Sequence, residues 1–166
     1  MIFLLRLEYL NLNLFNEPHY EAKLVKNLIK GFNLFKSSNG SLLYLKIYNE
    51  NSGEVNEVNK HQSIWNILDK LPDIKVLDLT DSILNHYAAT KIRNHFYYFK
   101  SISTLVLRNC KITDNILKEI SDGMMKAKGI ENIYLSSNSF SSVSTLINNL
   151  AFQPSLRILD ISANPC

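Results

Sequence analysis

Cysteine is scarce in this chain, with only Cys110 and Cys166 among 166 residues. Two are too few for the disulfide frameworks of small secreted domains, and no Cys-x-x-Cys pair offers itself for zinc or redox work, so reduced thiols are expected. Glycine is scarce too, five in all, and none stands in the G-x-x-x-x-G-K-[ST] or G-x-G-x-x-G loops that cradle phosphate. H-E-x-x-H and G-x-S-x-G are absent as well. No apolar run reaches the roughly 18 residues of a membrane span. At the amino terminus, MIFLLRLEYL, Arg6 and Glu8 break the apolar stretch too early for a signal-peptide core, and a buried edge element is expected there instead. Charge of one sign is lacking: 18 Lys and Arg against 15 Asp and Glu leave a formal +3. The two signs are interspersed, which gives nucleic acid or a membrane surface no basic stripe to meet.

What is present suits one globular unit: 46% hydrophobic and 20% charged residues, enough apolar side chain for a continuous core. Asparagine is the excess, 20 residues, a bias that an A+T-rich genome would produce. The histidines, His19, His61, His86 and His95, fall in separate places between the candidate strands. Only His86 and His95 share a candidate helix, where nine residues put them half a turn out of phase. Metal binding needs converging ligands, so ordinary surface or boundary histidines are expected. The NGS at Asn39 fits a glycosylation acceptor, a match that chance supplies in so Asn-rich a chain.

The chain repeats itself. IKVLDLTDSIL begins at Ile74, ISTLVLRNCKI at Ile102, IENIYLSSNSF at Ile130 and LRILDISANPC at Leu156, at spacings of 28, 28 and 26 residues. Each has aliphatic residues at its first, fourth and sixth places. Three have Asn or Cys at the ninth, namely Cys110, Asn138 and Asn164, where the remaining one has Ser82. Two weaker copies, LEYLNLNLF from Leu7 and LLYLKIYNE from Leu42, precede them. Aliphatic residues two apart share one face of a short strand, and such a strand cannot bury that face alone. Parallel stacking of the copies about 4.7–4.9 Å apart builds one sheet and one core. A buried amide where the chain leaves each strand can satisfy neighbouring backbone groups. Cys110 at that place is expected to be a buried structural thiol.

These segments resemble the leucine-rich repeat family, whose strand reads L-x-x-L-x-L-x-x-N/C-x-L, and the repeat length is similar to the ribonuclease-inhibitor type. The resemblance implies an α/β fold: a curved solenoid with parallel β-strands on the concave face and α-helices on the convex face. It makes residues 1–166 one domain of about six repeats, with strands starting near 7, 42, 74, 102, 130 and 156.

Between the candidate strands the apolar period lengthens to about 3.6. After Ile112, a cap candidate in Thr113 or Asp114 precedes a stripe of Ile116, Leu117, Ile120 and Met124, with Gly129 as the stop. Comparable stripes are Leu24, Val25, Leu28, Ile29 and Phe32; Ile64, Trp65, Leu68 and Leu71; Ala88, Ala89, Ile92 and Phe96; and Leu146, Ile147 and Leu150. In HFYYF, Phe96 and Phe99 face inward and Tyr97 and Tyr98 are left for a second contact surface.

Residues alternating with the strand aliphatics form columns on the concave face. The first is Tyr9, Tyr44, Val76, Thr104, Asn132, Ile158. The second is Asn11, Lys46, Asp78, Val106, Tyr134, Asp160, and the third is Asn13, Tyr48, Thr80, Arg108, Ser136, Ser162. Tyr and Arg held on a rigid sheet are residue types enriched in protein interfaces. Tyr44, Lys46, Tyr48, Asp78, Thr80, Arg108, Tyr134 and Asp160 are therefore the candidate partner-binding set. The expected function is protein binding without catalysis, cofactor or metal, as an adaptor or subunit of a larger assembly. Two alternatives remain: a structural subunit held through its ends and helices, and a recognition fragment of a longer regulatory or effector protein. An intracellular, cytoplasmic setting is expected, with ciliary, cytoskeletal or mitochondrial assemblies also suiting the composition. At the last copy, Leu156, Leu159 and Ile161 are expected to face the core with Asn164 as its amide. The Asn-Pro that opens a disulfide cap in secreted relatives lacks the cysteines here. Either further chain or a partner is expected to cover that end.

Overall fold

The computed structural model describes residues 8–14, 27, 28, 30, 43–49, 64–71, 73–98, 101–151 and 153–166. The stripe around residues 24–32 is represented there by Leu28, which is half-buried against the core. His19, His61, Asn39 and Phe99 lie outside the described residues.

Each aligned segment supplies one strand: β1 (Tyr9–Leu14), β2 (Tyr44–Asn49), β3 (Val76–Asp78), β4 (Thr104–Val106), β5 (Asn132–Tyr134) and β6 (Ile158–Asp160). They form one six-stranded sheet, parallel throughout, in the order of the sequence. A 3-10 helix (Ile64–Lys70) precedes β3, and helices α1 (His86–Tyr98), α2 (Asp114–Met124) and α3 (Ser144–Leu150) connect the strands that follow. Parallel neighbours require such crossovers. No helix among the described residues is long and apolar enough to cross a membrane.

The core lies on the sheet face where the fourth and sixth places point. Leu45, Ile47, Leu77, Leu79, Leu105, Leu107, Ile133 and Leu135 are all fully buried, each contributing roughly 1.5–3 kcal/mol. The helices close over them with Ala88, Ala89, Ile92 and Phe96 of α1, Leu117, Ile120 and Met124 of α2, and Leu146 and Leu150 of α3. Three local expectations change. The segment at Ile64 is a 3-10 helix that also buries Ile67, and Ile147 is exposed. The helix begun at Asp114 ends at Met124, well before Gly129.

Where β3, β4, β5 and β6 end, the eighth place adopts positive φ: Asp81 (63°), Asn109 (51°), Ser137 (60°) and Ala163 (54°). The same left-handed residue in four successive copies, none of them glycine, turns the chain out of the sheet at a constant point. The ninth place then tucks inward. The Asn138 carboxamide oxygen accepts from the Cys110 and Ile112 amides (2.9 and 3.0 Å), and its nitrogen donates to the carbonyls of Leu107 and Leu135 (2.7 and 2.8 Å). Asn164 repeats the motif one repeat later, accepting from the Asn138 amide at 2.9 Å and donating to Leu135 and Ile161. Cys110 sits in the same place, its thiol donating to the Leu79 carbonyl at 3.0 Å. Burial pushes that thiol up to about 12, so it is protonated and unreactive at neutral pH. Ser82 fills the position upstream and donates to the Ile47 carbonyl at 2.8 Å.

Helix termini tie adjacent repeats as well. Thr113 is the N-cap residue of α2 but makes no side-chain cap bond. The Asp114 carboxylate instead accepts from the amides of Ser141 and Ser142 and from the Ser141 hydroxyl, each at 2.9 Å.

His95 departs from the surface or boundary role expected of it. It is buried at 2% exposure on α1, with Nδ1 3.2 Å from the Leu68 carbonyl. A carbonyl only accepts, so Nδ1 carries the proton. Burial lowers the ring pKa to about 4, against smaller raising effects of the Leu68 bond and the Asp69 charge.

Candidate protein-binding face

The side chains opposite the core fall into the expected columns. Tyr9, Tyr44, Val76, Thr104, Asn132 and Ile158 are register partners from strand to strand, as are Asn11, Lys46, Asp78, Val106, Tyr134 and Asp160. The eight candidate residues separate into two clusters, with Thr104 and Val106 of β4 between them.

The first cluster centres on Asp78. Its Oδ1 accepts from the Thr80 amide (3.0 Å) and hydroxyl (2.7 Å), and its Oδ2 accepts from the Tyr44 hydroxyl (2.8 Å). Lys46 Nζ lies 3.5 Å from the same Oδ2. Burial alone would raise the carboxyl pKa. The bonds from Thr80 and Tyr44, with the Lys46 charge, outweigh it and hold Asp78 below the usual carboxylate range. Burial, followed by the bond to Asp78 and its charge, pushes the Tyr44 phenol up. Asp78 is thus only 8% exposed: it organises the face and does not offer a free carboxylate to a partner. Outside it, Tyr9 stacks on Tyr44 with ring centroids 4.5 Å apart and planes 23° apart. Tyr48 is half-buried at the next outward position of β2.

The second cluster is more open. The Arg108 guanidinium lies over the Tyr134 ring, 4.4 Å from its centroid, and 3.6 Å from Asp160 Oδ2. Asp160 Oδ1 accepts from the Ser162 hydroxyl and amide at 2.6 and 3.1 Å. These bonds, the hydroxyl first, and to a smaller extent the Arg108 charge hold its pKa low. Asp78 with Thr80 and Asp160 with Ser162 are one motif used twice, a fifth-place carboxylate closing on the seventh-place hydroxyl and amide.

Two exposed large hydrophobic residues outside the candidate set belong to this face: Tyr9, 52% exposed, and Ile158, 43% exposed. Both were legible from the first column, where an outward aromatic or aliphatic residue is unsupported by the core. On the helical side Tyr97 and Tyr98 are exposed, edge to face at 5.2 Å. They border a groove of about 390 Å³ lined by Arg93, Asn94, Asp122 and Lys126 as well. Among the described residues no group of three or more His, Cys, Asp or Glu could hold a metal ion.

Comparison with known proteins finds no family model and no curated protein that matches the chain.

Proposed function

We propose that the chain is a curved leucine-rich-repeat solenoid, strands on its concave face and helices on its convex face, that binds a protein partner and catalyses nothing. It would act as an adaptor or as a subunit of a larger assembly, without a cofactor. The observation that carries this reading is the fixed arrangement of two side-chain clusters on one parallel sheet. Tyr44 and Lys46 are anchored on Asp78, and Arg108 is held against Tyr134 and Asp160. Little side-chain freedom is then lost on binding. Tyr and Arg so held are suited to act as interface anchors. Nucleic acid suits the face poorly, because each cation stands beside a carboxylate and no basic stripe runs along it.

The test is affinity isolation from the native source with the full chain, wild type against Arg108→Glu with Tyr134→Ala. Specific co-purifying proteins retained by the first and lost by the second support the reading. Identical recovery by both overturns it, provided circular dichroism shows equal folding.

The core places of β6 are less completely covered than those of β5. Leu156, Leu159 and Ile161 are only half-buried there, whereas Ile130, Ile133 and Leu135 one repeat earlier are fully buried.

A further inference from the structure

The two clusters of the open face share an order of exposure. The Lys46 side chain is 33% exposed and Asp78 11%, and the Arg108 side chain is 45% exposed and Asp160 27%. In each pair the cation is the outer member. The carboxylates are occupied from within the sheet: Asp78 by the Thr80 amide and hydroxyl and the Tyr44 hydroxyl, Asp160 by the Ser162 amide and hydroxyl. The cations are less fully engaged. Lys46 stands 3.5 Å from Asp78 and Arg108 3.6 Å from Asp160, and among the described residues neither cation has another acceptor. An ammonium carries three donors and a guanidinium five, so most are left for a ligand. The face offers donors at two points and has little acceptor capacity to spare.

The two points have a definite separation. Lys46 is in register with Asp78, and Asp78 with Val106, while Arg108 lies two residues beyond Val106. Two strand spacings across and two residues along put the Lys46 and Arg108 Cα atoms about 12 Å apart. Between them lie the half-buried Thr80 and Val106, with the Thr80 hydroxyl already turned onto Asp78. An extended chain rises about 3.3 Å per residue, so side chains four apart stand about 13 Å from each other. They also point the same way. A polynucleotide, which carries phosphate continuously, matches two separate cations less well than two separate carboxylates do.

We propose that the open face recognises an acidic, extended segment of the partner protein: two carboxylates four residues apart, one on Lys46 and one on Arg108, with a small apolar residue between them over Thr80 and Val106. The proposal rests on the protein-binding reading above and names what the partner presents. Arg108 suits the role because the Tyr134 ring, 4.4 Å away, holds the guanidinium in place, and a guanidinium can meet a carboxylate through two parallel bonds.

The probe is the peptide SESVSES, acetylated and amidated, titrated at low salt into the isotopically labelled full chain and followed by amide NMR. The expected result is saturable shifts at Thr80, Val106 and Arg108, with binding at least five-fold weaker for SQSVSQS. Lys46→Gln with Arg108→Gln is expected to weaken SESVSES binding to the same extent, and added salt to weaken it in wild type. Absence of saturable shifts, equal binding of the two peptides, or shifts confined to other residues overturns the proposal. So does tighter binding of a single-stranded oligothymidylate at the same amides, which would assign the face to nucleic acid. Both peptides are compared on the wild-type chain, so the test stands even if the double variant fails to fold. Native partners lost from the chain carrying Arg108→Glu with Tyr134→Ala, while wild type ignores SESVSES, would sink this proposal and leave the protein-binding reading intact.

Discussion

Between β2 and β3 the ninth-place residue is Ser82, whose hydroxyl reaches back to Ile47. Between β4 and β5 its counterpart is Asn138, whose amide group makes five hydrogen bonds. The first seam compensates on the opposite face of the sheet. There Asp78 gathers Thr80, Tyr44 and Lys46 into a partly charged network across the strands. One fold thus closes successive seams by different ninth-place chemistry: a neutral buried amide at Asn138 between β4 and β5, and the Ser82 hydroxyl, with the Asp78 network on the opposite face, between β2 and β3. A buried amide is strong because each of its partners would otherwise be desolvated and unpaired. A partly exposed network contributes less, since water competes at Tyr44 and Lys46 around the buried Asp78 carboxylate.

The most severe test of that difference is a pair of substitutions at the same place in the repeat. Asn138→Ala leaves the Cys110 and Ile112 amides and the Leu107 carbonyl buried without their partner. It is expected to destabilise the chain by about 4 kcal/mol. Ser82→Ala removes the hydroxyl bond to the Ile47 carbonyl and, with a methyl group filling the site, is expected to lose less, about 1–2 kcal/mol. Urea unfolding of both variants measures the contrast, and equal losses would dissolve it.

Acid should strike the N-terminal side first. His95 is neutral in the folded chain, with its pKa lowered to about 4. In the unfolded chain it titrates near 6.5. Stability is therefore present in full above the unfolded value. It falls as pH drops from about 6.5 to about 4, by roughly 3 kcal/mol in all. His95→Gln, whose amide still donates to the Leu68 carbonyl, is expected to flatten that part of the pH profile. Hydrogen exchange at pH 5 should show protection falling in α1 and the 3-10 helix before it falls in β5 and β6.

α2 packs on α1 at Gly123. A Cβ there would come within 2.7 Å of Arg93 Cα and 2.8 Å of its carbonyl oxygen, so the two helices touch backbone to backbone. Ala in place of Gly inside a helix ordinarily stabilises by about 1 kcal/mol. Here the forced separation should outweigh that gain, giving a net loss of about 1–2 kcal/mol. A gain in melting temperature for Gly123→Ala would mean that the helices part easily and that the seams, not the helix contact, hold neighbouring repeats together.

The strand columns and the core were legible in the sequence because a parallel stack permits one register once the aliphatic places are aligned. Leu77, Leu105 and Ile133 then face inward, and Asp78, Val106 and Tyr134 face out. What stayed hidden depends on pairs distant in sequence. Asp78 looks like an exposed carboxylate until Tyr44, 34 residues away, is seen to bond it. His95 looks like a boundary residue until the Leu68 carbonyl, 27 residues away, is seen to receive its proton. Gly123 resembles an ordinary weak spot in a helix until the backbone of Arg93 lies against it. The charged candidate residues were thus legible as outward positions but incompletely understood, because a column gives position and says nothing about whether a group is already satisfied by its neighbours.

The smallest effect concerns the turn that ends each strand. Its left-handed residue is Asp81 and Asn109 in the third and fourth segments, and Ser137 and Ala163 in the fifth and sixth. Asp and Asn tolerate that conformation, and the Asn109 side chain donates to Asp81 at 2.8 Å. Ser and Ala carry a steric penalty of about 1 kcal/mol, which glycine removes at some loss of unfolded-state entropy. Ser137→Gly is therefore expected to raise stability by about 0.5 kcal/mol, and Asn109→Gly to leave it unchanged or slightly lower. Chemical denaturation of the two variants side by side measures the difference. A gain at Asn109 matching that at Ser137 would show that the Asp81 to Asn109 bond contributes nothing, and that the early turns are as strained as the late ones.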